Sequence, residues 1–188
     1  SLQARFVVAA DGTQSFIRNA LGIKTMDYDY GQTLFVCSLE AEKANDGTAY
    51  ERFSEQGPVA LLPMAHGVYG SICGVAIEQA AEIAELNDAS YADYMQSRFG
   101  WRVGKVLRVS SRAHYPIKRV LAERLNSTRT VLMGNAAQTI HPIGAQGFNL
   151  GLRDALCFAE LIKQQGLSET IASDYALLRE SDRAQTLA

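Results

Sequence analysis

"MGNAAQTIHPIGAQGFNLGLRDA", Met133 to Ala155, is the stretch on which the reading of this chain turns. It holds Gly134, Gly144, Gly147 and Gly151, a His-Pro pair and several amides, and then becomes helical. A surface loop has no need of so many small residues so close together. Just upstream, "RTVLMG" reads as a short buried strand ending at Gly134, where the missing side chain lets something approach. Gly144-Ala145-Gln146-Gly147 stands immediately before a helix. The free N–H groups and positive dipole end of that helix suit an anionic or electron-rich acceptor. Asn149 adds amide donors at the same place. Gly147 and Gly151, one turn apart, leave one helix face bare for close packing. Downstream, Phe148, Leu152, Ala155, Ala159 and Ile162 recur at four-three-four-three spacing, which predicts the apolar stripe of an amphipathic helix ended by Gly166. A last helix is expected from Ser168.

Working outward, the 188 residues are enough for one domain or two small ones with a real core. Charged residues make up 20% and the net charge is −2, so nothing points to a nucleic-acid partner. Cys37, Cys73 and Cys157 form no CxxC pair and read as reduced, buried thiols of a cytoplasmic protein. Neither a signal peptide nor an apolar run of about 20 residues is present. The chain starts at Ser1 and enters a strand almost at once, and its end reads as a helix cut in mid-course. The expectation is a piece of a longer protein.

Arg5–Ala10 is valine-rich and stops at Asp11-Gly12, which predicts a strand buried on both faces and then a turn. A short helix follows, capped by Thr13 or Ser15 and ended by Gly22. From Tyr28 to Ile77 the period changes to two. "QTLFVCSLEA", "TAYERFS", "PVALLPM" and "VYGSICGVAI" are separated by good turn chemistry and predict an antiparallel meander, with Pro58 and Pro63 at strand ends or an edge. Glu78–Phe99 reads as two helices parted at Asn87-Asp88. Val106–Ile117 reads as one strand with Leu107, Val109, Ala113, Tyr115 and Ile117 on its buried face.

For the glycine run, two readings stand side by side. One is a ligand bed for a planar acceptor such as the carbonyl edge of a flavin, or for a phosphate. The other is a helix-capping loop with a glycine-marked helix–sheet contact. A P-loop is excluded, because no Gly-Lys-Ser/Thr follows. His141 has no partner at metal-ligand spacing, and no metal site is expected. It reads as structural rather than as a base. "VVAADGTQSFIR" is the second cluster. A buried strand ending in Asp-Gly can hold the aspartate at the carboxyl edge of a parallel sheet, although Asp-Gly alone is a common turn.

The two clusters together resemble the Asp-Gly motif and the second FAD motif of flavoprotein aromatic hydroxylases, the group A FAD-dependent monooxygenases. The usual Gly-Asp-Ala-Ala-His reads here Gly134-Asn135-Ala136-Ala137-Gln138. That form, with His-Pro and "GFNLGLRD", is similar to the polyprenyl-phenol hydroxylase branch of ubiquinone biosynthesis. The resemblance covers essentially the whole chain. It implies an α+β fold of the para-hydroxybenzoate-hydroxylase type, an α/β FAD-domain remnant plus an antiparallel-sheet substrate domain. Residues 1–24 and 121–188 would belong to the FAD domain, and 25–120 to the substrate domain. The family's Gly-x-Gly-x-x-Gly fingerprint for the ADP half of FAD is absent, so the chain reads as a C-terminal fragment.

The resemblance also implies roles. Asp11 and Gly12 would sit near the FAD pyrophosphate and the nicotinamide path. Gly134 and Asn135 would contact the ribose or pyrophosphate, with the amide oxygen of Asn135 replacing the usual carboxylate. Pro142, Gly144, Ala145 and Gln146 would line the isoalloxazine ring, and Gly147, Phe148 and Asn149 would lie nearest its N1–C2 carbonyl edge. NAD(P)H would be the reductant, and dioxygen and a phenol, polyprenylated in this branch, the substrates. The cofactor performs the chemistry, so no obligatory acid or base is named. Phe53, Leu62, Met64 and Tyr115 are candidates for the phenol pocket wall, with packing in the core as the commoner fate of such residues. A polyprenyl substrate implies peripheral contact with the inner membrane. Strands deprived of their neighbours would be exposed or self-associating. The rivals are a related FAD enzyme for a soluble aromatic, a redox-inactive binding or assembly module, and a structural domain whose glycines serve packing only.

Overall fold

A computed structural model describes residues 3–142 and 146–187. Its elements run β1 (Val7–Ala9), α1 (Phe16–Ala20), β2 (Thr25–Ala41), β3 (Tyr50–Arg52), β4 (Val59–Pro63), β5 (Tyr69–Ala76), α2 (Ile77–Glu85), α3 (Asp88–Phe99), β6 (Val106–Val109), β7 (Ala113–Ala122), β8 (Asn126–Ser127), β9 (Thr130–Leu132), β10 (Gln138–Thr139), α4 (Gln146–Gln165) and α5 (Ile171–Leu187). The chain divides into two compact units, Ser1–Tyr28 with Lys118–Ala188, and Asp29–Ile117.

In the first unit, β1 pairs parallel with β9, and β9 pairs antiparallel with β8. Val131, Leu132, Phe158, Leu161, Ile171 and Tyr175 form the centre of its core. The Tyr175 hydroxyl donates to the Leu132 carbonyl at 3.0 Å and so ties α5 to β9. The expected strand of residues 5–10 is shorter and is not buried on both faces. Val7 and Val8 are exposed and only Ala9 is fully buried. Among the described residues β1 has one strand neighbour, β9, so it is an edge.

The helix after the glycine run is rotated from its expected setting. The inward residues of α4 are Leu150, Asp154, Phe158 and Leu161, whereas Phe148, Leu152, Ala155, Ala159 and Ile162 are exposed. The two sets differ by one residue, which is a turn of about 100°. Bare glycine decides it. A Cβ on Gly151 would stand 3.4 Å from the Cα of Gly134, so the glycine face is the one that packs closely.

The second unit is the meander. β2 pairs with β5, β5 with β4 and β4 with β3, all antiparallel, and β6 adds to the end of β2. Phe35, Leu39, Leu61 and Val75 pack against Tyr91 and Met95 of α3. Alternate residues point the other way, where Val36 and Ile72 stand opposite each other, half-buried. Pro63 ends β4, as its missing N–H requires. The strand expected over Val106–Ile117 is broken at Ser110–Arg112 into β6 and β7. Its buried residues are Val106, Val109 and Ile117, while Leu107 and Tyr115 are exposed. The break follows from pairing: Ser110 N–H donates to the Ser38 carbonyl, and Arg112 turns to Asp88 at 3.0 Å. The fate expected for Phe53, Leu62, Met64 and Tyr115 as core residues is also overturned, since all four are exposed. Cys37 and Cys73 are buried free thiols, but Cys157 is only half-buried.

Candidate functional site

Parallel pairing brings the two sequence clusters together. With Ala9 opposite Leu132, and Met133 N–H donating to the Ala9 carbonyl at 2.9 Å, β1 and β9 end side by side. Asp11-Gly12 and Gly134-Asn135 therefore leave the sheet at the same carboxyl edge, where ligands of α/β sheets gather.

The Asp-Gly turn is held by its own helix. Ser15 caps α1, accepting from the Arg18 N–H at 3.0 Å. Asp11 accepts from the Ser15 hydroxyl at 2.5 Å and from the Ile17 N–H at 3.1 Å. Desolvation raises the Asp11 pKa, but these bonds and further backbone N–H groups outweigh it and hold the carboxyl below its ordinary range. Gly12 has φ +86°, a conformation glycine adopts freely.

Two links join this turn to the glycine run. Arg18 is buried, and its guanidinium donates to the Ala136 carbonyl at 3.0 Å and to the Thr13 carbonyl at 2.8 Å. The hydroxyls of Thr13 and Thr139 meet at 2.8 Å. The sequence reading passed over Arg18. The available signal was a charged residue inside "SFIRNALG", a helix too short to turn every side chain to water.

Gly134 opens a short 3-10 turn, Gly134–Ala136, with φ +53°. Its N–H donates to Asp154 of α4 at 2.9 Å and its carbonyl accepts from Ala137 at 3.0 Å, so both backbone polar groups are used internally. Asn135 is exposed, as are Asp11, Pro142, Gln146, Phe148 and Asn149, while Gly12 and Gly147 are half-buried. Gly144 and Ala145 lie outside the described residues. Among the described residues a Cβ on Gly147 would meet only Ile140, at 3.9 Å, an ordinary contact. Burial pushes the His141 imidazole below its ordinary pKa, which leaves it neutral at pH 7. Among the described residues no group of three or more His, Cys, Asp or Glu could hold a metal ion. This edge thus carries the exposed Asn135 amide and two glycine turns of positive φ, at Gly12 and Gly134.

Two glycine turns side by side at the carboxyl edge of a parallel strand pair are the arrangement α/β proteins use for cofactors, and the chain belongs to the FAD binding domain family, whose profile matches residues 1–173. It is similar to the ubiquinone hydroxylase UbiM of Neisseria meningitidis, 36% identical over 161 residues, covering 86% of this chain and 35% of that protein. It is also similar to the ubiquinone hydroxylase UbiL of Rhodospirillum rubrum, 33% identical, covering 100% of this chain and 45% of that one. A solved structure of a PqsL variant from P. aeruginosa superposes with a TM-score of 0.76 at 21% identity, covering 93% of this chain and 51% of that one. That likeness establishes the α+β fold the chain shares with PqsL. The chain spans less than half the length of the two curated relatives. Among the described residues no helix is long and apolar enough to cross a membrane.

Proposed function

We propose that the full-length protein is an FAD-dependent, NAD(P)H-using monooxygenase that hydroxylates a phenolic ring, a polyprenylated intermediate of ubiquinone biosynthesis. The observation that carries this reading is the joining of the Asp-Gly turn to the Gly134–Asn135 turn at one sheet edge, through Arg18 and the Thr13–Thr139 pair. The names of the curated relatives support the reaction and the pathway.

The residues present fit the cofactor. Asn135 offers an exposed amide beside a glycine of positive φ, and Gly147 offers bare backbone where a Cβ would meet no described residue but Ile140. In this reading Asp11, Gly12 and Asn135 hold the ribose and phosphates. Pro142, Gln146, Gly147, Phe148 and Asn149 would face the ring, with the N-terminal end of α4 favouring negative charge on it. Reduced FAD supplies the electrons with which dioxygen gives one oxygen atom to the phenol, the other leaving as water. Neutral His141 neither donates nor takes a proton in this scheme.

Residues Asp29–Ile117 form the substrate unit in the same proposal. One face of their sheet is taken by α3, and the other carries Val36, Leu62 and Ile72, which suits an aromatic ring with an apolar tail. A prenylated substrate brings peripheral contact with the membrane holding it. The outward stripe Phe148, Leu152 and Ile162 supports self-association of this stretch when produced alone.

The test is direct. The full-length protein should purify with a flavin spectrum that NAD(P)H bleaches. With a prenylated phenol it should then incorporate one atom of oxygen from labelled dioxygen. Absence of flavin binding overturns the reading. Turnover of a soluble phenol alone overturns the prenylated substrate.

A further inference from the structure

We propose that Asp154 is a positioning residue for the cofactor, acting through the Gly134 turn; this rests on the function proposed above. Asp154 is 1% exposed and lies in the middle of α4. Its Oδ2 accepts from the Gly134 N–H at 2.9 Å and from Gln138 Nε2 at 2.8 Å, and its Oδ1 accepts from Arg179 Nε at 2.7 Å. Three donors from three segments thus converge on one buried carboxylate. Arg179 neutralises it and is itself held by Asp182, one turn along α5, at 2.5 Å.

The consequence follows from Gly134. With its N–H turned inward to Asp154 and its carbonyl bonded to Ala137, Gly134 presents no backbone polar group to a ligand. The polar contact falls to Asn135, the next residue, which is exposed. Asp154 sets the direction in which Asn135 leaves the turn, and glycine at 151, where a Cβ would stand 3.4 Å from the Gly134 Cα, lets α4 lie close to that turn. An asparagine of the same shape cannot substitute. It has one acceptor oxygen for the donors that now share two, and its own N–H groups would face another donor.

The experiment uses the full-length protein with Asp154→Asn, Gln138→Met and Arg153→Gln. Arg153 pairs with Asp182 at 2.8 Å in the same network but touches neither Gly134 nor Asp154 through any bond described above, so its variant controls for general weakening. The readouts are FAD affinity by titration, the absorption spectrum of the bound flavin, and amide exchange over residues 133–139 in flavin-free protein. Asp154→Asn should raise exchange in that segment at least tenfold. It should weaken FAD binding at least tenfold and shift the flavin spectrum, at a temperature where circular dichroism reports a folded protein. Arg153→Gln should lower Tm with FAD affinity within twofold of wild type. If Asp154→Asn does not fold, Gln138→Met decides: a threefold or greater loss of affinity supports the clamp and an unchanged affinity overturns it. The proposal is also overturned if folded Asp154→Asn binds FAD as wild type does, or if affinity in Arg153→Gln falls with Tm as steeply as in Asp154→Asn. A wild type that binds no FAD overturns the proposed function and the clamp with it.

Discussion

Arg18→Met removes the cation that joins the Asp-Gly turn to the glycine run. Arg18 is 5% exposed, and its guanidinium makes two charge-assisted bonds, to the carbonyls of Ala136 and Thr13. Hydrogen bonds to a charged group contribute about 1.5–3 kcal/mol each, so the gross loss is about 3–6 kcal/mol. Two terms offset it. Arg18 Nε is buried without a partner, so its removal relieves about 1–3 kcal/mol of unmet desolvation. Methionine also keeps the apolar stem. The net expectation is about 2 kcal/mol, which for a domain of this size is a fall in Tm of roughly 4–8 °C. Thermal unfolding followed by circular dichroism measures it, with amide exchange over residues 134–139 reporting the local effect. Arg18→Lys should fall between the two, because one ammonium does not reproduce the spread of a guanidinium over two carbonyls. A Tm within about 1 °C of wild type, with unchanged exchange in that segment, would refute the claim that Arg18 ties the two turns.

Three other outcomes are expected. Gly147→Ala should leave the Tm of flavin-free protein unchanged or higher, since a Cβ there meets nothing nearer than 3.9 Å, yet weaken FAD binding at least about tenfold if a ring lies against this backbone; unchanged affinity would leave the glycine without a ligand. Asp11→Asn should lower Tm at neutral pH. The Asp11 pKa is lowered in the folded chain, so its contribution is complete above the ordinary value of 3.8 and is lost as pH falls through the folded value. The two Tm curves should then meet in acid, and a gap that persists there would sink the assignment. Gly57→Ala should destabilise by about 3 kcal/mol, because its φ of +111° strains alanine and the new Cβ would lie 2.6 Å from the Gly74 carbonyl oxygen. Urea unfolding of the isolated variant would measure that loss, and a midpoint equal to wild type would contradict the geometry.

Local chemistry made much of the fold legible. Gly-Asn-Asp pairs and prolines mark the turns of the meander, and Asn87 caps α3 where the sequence breaks. Strand limits were harder to read. β2 begins at Thr25, seven residues before the apolar run starts, and "TMDYDYGQ" hides it: acids alternate with the exposed Tyr28 and the half-buried Tyr30, and no residue there is fully buried. The break at Ser110–Arg112 is equally silent, since it arises from β6 pairing with a distant strand. The networks that fix the site were the least legible. Arg18, Asp154 and Arg179 are charged residues in helices, and nothing local says that Arg18 is buried against a carbonyl 118 positions away or that Asp154 and Arg179 are buried against each other 25 positions apart.

The rotation of α4 sharpens what its glycines mean. Apolar spacing favoured the face with Phe148, Leu152 and Ile162, and hydrophobic burial alone would turn that face inward. The observed inward face instead carries Gly151 and the carboxylate of Asp154, which is costly to bury unless several donors meet it. Gly134, Gln138 and Arg179 meet it, and a Cβ at position 151 would already touch the turn, 3.4 Å from the Cα of Gly134, leaving no room there for a larger side chain. Glycine at 151 therefore sits at the helix–turn contact, whereas a Cβ at 147 meets no described atom nearer than 3.9 Å. The two readings of the glycine run, helix contact and ligand bed, can thus be tested separately at two residues one turn apart.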